Sequence, residues 1–311
     1  MKRFALLSLG CLLVALLLFS CDMLGMTTTH GSTDQPREPF EGVYDHGDPS
    51  PHEQLMLEYI NRARAAPGAE AARLGIDLNE GLAPGTISDT PKPPLSFNEL
   101  LTRAARAHSR WMLDTGEFSH EGEGGSSAWD RILAVSYPLS GSWQIGENIA
   151  WGGSTCEIDI DYHTVARYEG LFRSPGHRRN ILNESFDEIG LGVLDGLYHR
   201  NGNTFNAVMV TQKYALSAGT PGPRIVGVVY RDTNANAFYD IGEGVAGVTV
   251  RITGSDTHAV TSSSGGYALP YSGDSGPIAI EFSGGTLPLP VVVEIEATGK
   301  NAKLDLKTSG L

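Results

Sequence analysis

Residues 174–182 read SPGHRRNIL, and the prediction of the fold starts from them. The Ser-Pro-Gly run breaks helices, so it ends the apolar helical pattern of Asp161–Phe172, and His177–Leu182 predicts a further short helix. Farther along, Ile189–Leu194 and Asn206–Tyr214 are apolar or alternating segments with an Asn-Gly turn signal between them, which predicts a β-hairpin. This part of the chain therefore combines helices with a small antiparallel sheet.

Two helices are predicted upstream. Ser50–Glu53 reads as a capping box with Pro at the first helical position, and the helix stops at Pro67-Gly68. Ser96–Glu99 reads as a second capping box, and the longer helix behind it closes at Gly116. Residues 75–94 are rich in Gly and Pro and are predicted to be loop.

Three more motifs come before residues 174–182: AHSRWM at 107–112, FSH at 118–120 and GENIA at 146–150. With IGLGV at 189–193, the order and spacing of these motifs resemble the CAP superfamily, also called SCP-like, in its bacterial branch. The resemblance covers about residues 52–215. It implies an α+β fold, a CAP-type α-β-α sandwich with a central cleft.

In CAP proteins two His and acidic partners line the cleft. The resemblance puts His120, Glu147 and His177 at those positions, while the place of a second Glu falls at Ser174. The four-residue set of the family is therefore incomplete here. Asn148 is also expected at the cleft, where its amide would tie the turn between a strand and a loop.

The chemistry of these residues leaves alternatives open. Two imidazoles and a carboxylate can hold Zn²⁺ or another divalent metal with an open coordination position, or a His–Glu pair can move protons near neutral pH. From the residues alone, each His is more often a hydrogen-bonded core residue than a ligand. The sequence contains no His-Glu-x-x-His or Gly-x-Ser-x-Gly motif and no obvious nucleophile, which favours a binding module over an enzyme.

Residues 217–223 read as a linker, after which the helical period disappears. Short strands rich in Val and Ile with Gly-rich turns between them predict a small β-sandwich over residues 224–311. The predicted strands are Ile225–Tyr230, Val248–Thr253, Ile278–Phe282 and Val291–Ala297. The segment from about 224 to 285 resembles the SdrD B-like domains of bacterial surface proteins, which are Ig-like modules that often bind Ca²⁺.

A loop in this region has the ligand spacing of an EF-hand. The predicted calcium ligands are the side chains of Asp232, Asn234, Asn236, Asp240 and Glu243, with the backbone carbonyl of Phe238. Ala237 stands where Gly is usual, because the turn requires unusual dihedrals there. The alternative is an acidic, Asn-rich β-turn that holds no ion.

Residues 1–20 have the layout of a secretory signal, with Lys2 and Arg3 ahead of an apolar run. Ser20 before Cys21 resembles the lipobox of bacterial lipoproteins, which implies an acylated Cys21 anchored in a lipid bilayer. Residues 21–48 are polar and are expected to be a flexible tether. The expected location is the cell envelope, lipid-anchored and extracytoplasmic, and the alternative is secretion.

The composition narrows the choice of partners. The formal net charge of −13 argues against nucleic acid binding. Of three Cys, Cys11 lies in the signal, so with Cys21 acylated only Cys156 remains and no disulfide-linked partner is expected. We expect a body from 49 to 216 that binds a lipid, glycan or peptide ligand. A metal-assisted hydrolase and an adhesive surface protein with a vestigial cleft are the alternatives.

Overall fold

The computed structural model describes residues 43–308. The helices are α1 (Pro51–Ala65), α2 (Pro67–Arg73), α3 (Glu99–Thr115), α4 (Ala128–Ala134), α5 (Ile160–Arg173) and α6 (Pro175–Ile181). The strands of the first half are β1 (Ser96–Phe97), β2 (Trp143–Ser154), β3 (Glu188–Arg200) and β4 (Asn203–Ser217). The second half contains β5 (Arg224–Arg231), β6 (Val248–Ile252), β7 (His258–Val260), β8 (Gly266–Pro270), β9 (Ser275–Gly284), β10 (Val291–Thr298), β11 (Ala302–Lys303) and β12 (Leu306–Thr308). Within these described residues, no helix is both long and apolar enough to cross a bilayer.

The first half is the predicted α-β-α sandwich. Its four-stranded sheet has the order β1-β3-β4-β2, with β2 at one edge and β1 parallel to β3 at the other. Helix α3 packs on β3 and β4, while α1, α5 and α6 pack on the opposite face. Because side chains alternate along β4, Val208 and Val210 enter the core beneath α1 and α5, and Ala207 and Met209 enter the core beneath α3.

The helix starts confirm one predicted capping box and correct the other. Ser50 and Glu53 form the reciprocal capping box of α1. The box predicted at Ser96–Glu99 is wrong, because Ser96 and Phe97 pair with β3 as a short parallel strand. Asn98 is the true N-cap of α3, and its side-chain oxygen accepts from the backbone N–H of Leu100 at 3.0 Å.

The predicted hairpin is confirmed, and it is longer than expected. Strands β3 and β4 pair from Glu188–Ala215 to Arg200–Asn203, and Asn201 and Gly202 form the turn with φ of 51° and 76°. Gly192 lets α3 lie directly on β3, since a Cβ there would come within 2.5 Å of an α3 backbone carbon. The sheet and α3 are therefore fixed to each other at very close range.

The second half is the predicted β-sandwich. One sheet has the order β10-β9-β6-β7, and the other is built on β5, which pairs with β8 on one side and with β11 and β12 on the other. The core between them includes Ile225, Val250, Leu269 and Phe282. Strands β7, β8, β11 and β12 were not predicted, because they are short or lack a clear alternation.

The two halves pack against each other. Arg224 at the start of β5 forms an ion pair with Glu188 of β3 at 2.7 Å, and both side chains are fully buried. Tyr137 donates to the other oxygen of Glu188, and Asn98 donates to the first at 2.9 Å. The linker predicted at residues 217–223 is shorter than expected, because Ser217 belongs to β4 and is buried.

Two other predictions change at the described N-terminus and at Cys156. The tether was predicted to run to residue 48, yet Tyr44 and His46 are buried, and the His46 ring bonds to the backbone carbonyl of Gly266 at 3.0 Å. Cys156 is disulfide-bonded, whereas it was predicted to remain a lone thiol if Cys21 is acylated. The signal segment, Cys21 and most of the tether lie outside the described residues.

Candidate functional site

Glu147 of β2 is the centre of the candidate site. It pairs directly across the ladder with Lys213 of β4, so the two side chains project from the same face of the sheet. Lys213 donates to one carboxylate oxygen of Glu147, and neither side chain is more than 3% exposed. Arg131 of α4 donates to the same oxygen at 2.9 Å and to the other at 3.1 Å.

These donors set the charge state of the cluster. Although burial disfavours the carboxylate, Lys213, His120 and Arg131 hold the pKa of Glu147 well below its usual range. Burial lowers the pKa of Lys213 to about 8, and the Glu147 carboxylate limits that fall. Glu147 is therefore an ionised carboxylate, and it is a poor proton acceptor at neutral pH.

His120 is brought to Glu147 as predicted. Its Nδ1 lies 2.8 Å from Oε1 of Glu147, and its backbone carbonyl accepts from Arg131 at 2.9 Å. An ionised carboxylate can only accept, so Nδ1 carries a proton. The side chain is 27% exposed, and it forms the open side of the site.

His177 lies in α6, on the opposite face of the sheet, and does not contact Glu147. It is 4% exposed, and neither ring nitrogen has a hydrogen-bond partner. Burial, and to a smaller extent charge repulsion from His120, lower its pKa to about 4, so the two rings are near enough to interact electrostatically. At neutral pH His177 is a neutral imidazole with one donor and one acceptor unused.

Asn148 connects the two parts of the site. We predicted that Asn148 ties a turn, but it lies within β2, where it pairs with Gln212. Its Nδ2 donates to Gln212 at 2.9 Å and to the backbone carbonyl of His177 at 3.2 Å, and its Oδ1 accepts from Asn180 at 2.8 Å. Asn180 also donates to the backbone carbonyl of Glu147 at 3.3 Å. Asn148 and Asn180 thus fix α6 against the strand that carries Glu147.

Sequence reasoning missed Lys213 and Arg131, and it did not assign His108 a place beside the cleft. A Lys within the apolar run of β4 signals a buried partner, whereas nothing in the sequence points Arg131 at Glu147. The ring of His108 bonds to the backbone carbonyl of Ser119 at 3.0 Å, which holds the loop before His120. Burial lowers the pKa of His108 to about 4.

The arrangement around Glu147 does not make a complete metal site. Within residues 43–308 no group of three or more His, Cys, Asp or Glu could hold a metal ion. Glu147 is occupied by Lys213 and Arg131, which leaves two imidazoles, whereas catalytic zinc sites use three protein ligands. The residues therefore do not fit a metal-dependent hydrolase, and no catalytic step through a metal is derived.

The EF-hand-like loop brings four of its predicted side chains together. Asn234 and Asn236 both donate to Oδ2 of Asp240, at 2.7 and 2.6 Å, and Asp232 accepts from the backbone N–H of Asn236 at 3.0 Å. The unusual dihedral expected at Ala237 is confirmed, with φ of 57°. Within the described residues, however, Asp232, Asp240 and Glu243 do not come together as a group that could hold a metal ion.

The other two predicted ligands, Glu243 and Phe238, contact the loop backbone and helix α1. Both oxygens of Glu243 accept from loop N–H groups, those of Thr233 at 2.7 Å and Asp240 at 3.1 Å. The Phe238 ring packs on Tyr59 of α1 with 5.0 Å between ring centroids. Glu243 would have to leave these bonds to reach an ion.

Comparisons with known proteins agree with this architecture. Uncharacterized protein YkwD of Bacillus subtilis (strain 168) is 35% identical over 104 residues, which are 33% of this chain and 35% of that protein. Serine-aspartate repeat-containing protein D of Staphylococcus aureus (strain Newman) is 31% identical over 128 residues, or 39% of this chain and 10% of that protein, and this similarity supports the Ig-like region. The chain spans about a third of the first relative's length and about a tenth of the second's.

Solved structures give partial matches. An extracellular protein containing an SCP domain from Bacillus anthracis str. Ames has a TM-score of 0.31 at 29% identity, covering 40% of this chain and 34% of its own. An outer surface protein of Borrelia burgdorferi has a TM-score of 0.32 at 13% identity, and the match covers 57% of this chain and 99% of that protein. The family match runs over residues 57–214, from within α1 to within β4, and includes the whole Glu147 cluster. The chain belongs to the CAP family, the cysteine-rich secretory protein family.

Proposed function

We propose that this CAP domain is an extracytoplasmic binding module whose cleft holds a polar ligand between His120 and His177. The carrying observation is that both ring nitrogens of His177 are buried without a hydrogen-bond partner. A buried polar group without a partner destabilises the fold, so a ligand that accepts from one nitrogen and donates to the other would be favoured. Nε2 of His120 adds a further polar atom at the open side.

Binding is better supported than hydrolysis. A hydrolase on these residues needs Glu147 as a base or a metal ligand, and its two cationic partners oppose both roles. Lys213 and Arg131 instead make Glu147 a fixed anion that holds the tautomer of His120. Glu147 therefore acts as a positioning residue for the binding imidazole.

The test is calorimetric titration of the full chain with a short peptide, an N-acetylglucosamine oligomer, phosphatidylglycerol vesicles and ZnCl₂ in turn. We expect one of the organic probes to bind, with affinity at least tenfold weaker in His177→Ala and in His120→Ala. His199→Ala, an exposed His that bonds only to Thr204, is the matched control. Turnover of the peptide that is lost in both site variants would support the hydrolase, and no binding at all would support the adhesive surface protein.

We also propose that the loop from Asp232 to Glu243 binds Ca²⁺. The proposal is supported by the side chains of Asn234 and Asn236, which both bond to Asp240, and by the left-handed conformation of Ala237. We expect Ca²⁺ to raise the melting temperature of the protein and Asp240→Ala to abolish the shift. Asp274→Ala, an exposed Asp that bonds to Ser272, should leave the shift intact. If Ca²⁺ does not change the melting temperature of the wild type, the proposed calcium site is wrong.

The lipid anchor at Cys21 remains a proposal, and it competes with a disulfide. Cys11 and Cys21 are the other cysteines of the chain, and cleavage of the signal removes Cys11. Acylation of Cys21 and a bond from Cys21 to Cys156 exclude each other. Intact mass spectrometry of the mature protein without reductant decides between them: added acyl mass supports the anchor, and a mass loss of two hydrogens supports secretion with a disulfide.

A further inference from the structure

Arg167 of α5 is a buried guanidinium without a partner. The residue is 6% exposed, its Nε is sealed from solvent and makes no hydrogen bond, and within residues 43–308 neither terminal nitrogen has a hydrogen-bond or ion-pair partner. The terminal nitrogens are not among the sealed atoms, so they reach solvent. A buried charge is ordinarily paired, because its desolvation costs more than packing alone returns.

The other buried arginines of the described chain are all anchored. Arg64 donates to the carbonyls of Pro93, Ile181, Asn183 and Phe186. Arg178 donates to the carbonyls of Phe172 and Arg173, at 3.0 Å each, and to that of Glu80. Arg224 pairs with Glu188. The nitrogens of Arg224 also lack hydrogen bonds, so Arg167 differs from the other three in having neither an ion pair nor a hydrogen bond.

The surroundings of Arg167 leave room for its side chain and supply a second polar group. A Cβ on Gly152 of β2 would lie 0.9 Å from Nη1 of Arg167, so the guanidinium occupies the place of a side chain there. His163, one turn earlier on α5, also has a sealed Nδ1 without a partner. A cavity of about 290 Å³ opens at the same end of the sheet, but Glu157 and Asp195 line it and neither Arg167 nor His163 does, so it is not part of this site.

Glu169 is the acidic residue closest in sequence to Arg167, and it pairs with Arg73 at 2.9 Å. Two other acidic residues near Arg167 in the chain are also engaged. Asp159 is the N-cap of α5 and accepts from the backbone N–H of Tyr162 at 3.0 Å. Asp161 pairs with His52 at 2.9 Å. Neither carboxylate is bonded to Arg167, so the positive charge is uncompensated within the described protein.

We propose that Arg167 and His163 form a binding site for a small oxyanion, a carboxylate or a phosphate group. The planar fork of Arg matches two oxygens of such a group, and His163 supplies a further ring nitrogen beside it. Gly152 lies five residues along β2 from Glu147, about 17 Å away, so this site is separate from the cleft. The proposal does not depend on the function of the cleft.

The experiment follows the melting temperature of the full chain in sodium phosphate, sodium acetate and sodium chloride at matched ionic strength. In the wild type we expect phosphate, acetate or both to raise the melting temperature relative to chloride, by about 3 °C at ten times the dissociation constant. The anion that gives the larger shift identifies the preferred oxyanion. No shift with either anion would overturn the proposal.

Three variants test whether the shift belongs to Arg167. Arg167→Met should abolish the shift while melting in chloride at a temperature no lower than the wild type, because an uncompensated charge has been removed. Arg167→Lys keeps the charge without the fork, and it should retain at most a reduced shift. Arg110→Met, at an exposed position of α3, should keep the full shift. A full shift in Arg167→Met, or its loss in Arg110→Met, would refute the site.

Discussion

Replacing Glu147 with Gln tests the charge arrangement at the centre of the cleft. The substitution keeps the shape of the side chain and removes its charge, which leaves Lys213 and Arg131 facing each other. Lys213 is fully buried and Arg131 is 12% exposed, so water can compensate little of the lost attraction. We expect a large loss of stability.

The size of the effect follows from the distances. At 2.9 Å between Arg131 and Glu147 the attraction is about 6 kcal/mol with an effective dielectric constant of about 20. The cost of desolvating the carboxylate offsets part of this, and breaking one side of a buried pair typically costs about 3–5 kcal/mol. We therefore expect Glu147→Gln to lower the free energy of unfolding by about 4 kcal/mol.

The assay is urea unfolding followed by tryptophan fluorescence for Glu147→Gln, Lys213→Met and the double variant. Since the double variant removes both buried charges, it should recover at least half of the loss of Glu147→Gln. Glu117→Gln, at an exposed position, is the control and should change stability by less than about 0.5 kcal/mol. A loss below about 1 kcal/mol in Glu147→Gln, or a double variant weaker than both single variants, would refute the reasoning.

The same cluster predicts a pH dependence. The pKa of Glu147 lies well below 4.5 in the folded protein, so at pH values just below 4.5 the unfolded chain binds the proton and the folded chain does not. The stability from Glu147 is therefore present above pH 4.5 and is lost as pH falls through the folded pKa. Glu147→Gln should flatten the stability profile below pH 4.5.

Three other predictions concern histidines, a strained turn and a close packing contact. Burial lowers the pKa of His108 and of His177 from 6.5 to about 4, so between these pH values only the unfolded chain binds the two protons. The free energy of unfolding, measured in urea, should therefore fall by about 3 kcal/mol per His as pH falls from 6.5 to 4. Replacing both residues with Gln should remove this pH dependence. Ala237→Gly should raise the melting temperature in calorimetry by about 2–4 °C, because φ is 57° there, and a fall would contradict the strain. Gly192→Ala should cost about 2–3 kcal/mol in urea unfolding because its Cβ would meet the α3 backbone at 2.5 Å, whereas Gly196→Ala, whose Cβ would lie 3.4 Å from a leucine methyl, should cost clearly less.

Elements with strong local signals could be predicted from the sequence. The capping box at Ser50 and the Asn-Gly turn at residues 201–202 fix their boundaries by local chemistry, and the structure has both. The predicted break at residues 174–176 is confined to Ser174, because Pro175 and Gly176 already belong to α6. Helix α4 carried a readable signal too, because Ser127 and Asp130 form a capping box that the sequence analysis overlooked.

Strand β2 was hidden for a different reason. Its glycines weaken the strand signal, yet they serve long-range packing: Gly146 leaves room for Phe186, and Gly152 for Arg167. Contacts of that kind join residues far apart in the chain, and no local pattern contains them. The pairing of Glu147 with Lys213 is likewise a consequence of strand register, which one sequence does not specify.

The ion pair between Arg224 and Glu188 has a consequence for how this protein can evolve. A gene rearrangement that separated the CAP domain from its β-sandwich would leave Glu188 without its cationic partner and Arg224 without its anionic partner. Swapping either half for a homologue requires matching charges at both positions in a single step. Sequence change at one of the two positions therefore restricts which changes the other can accept.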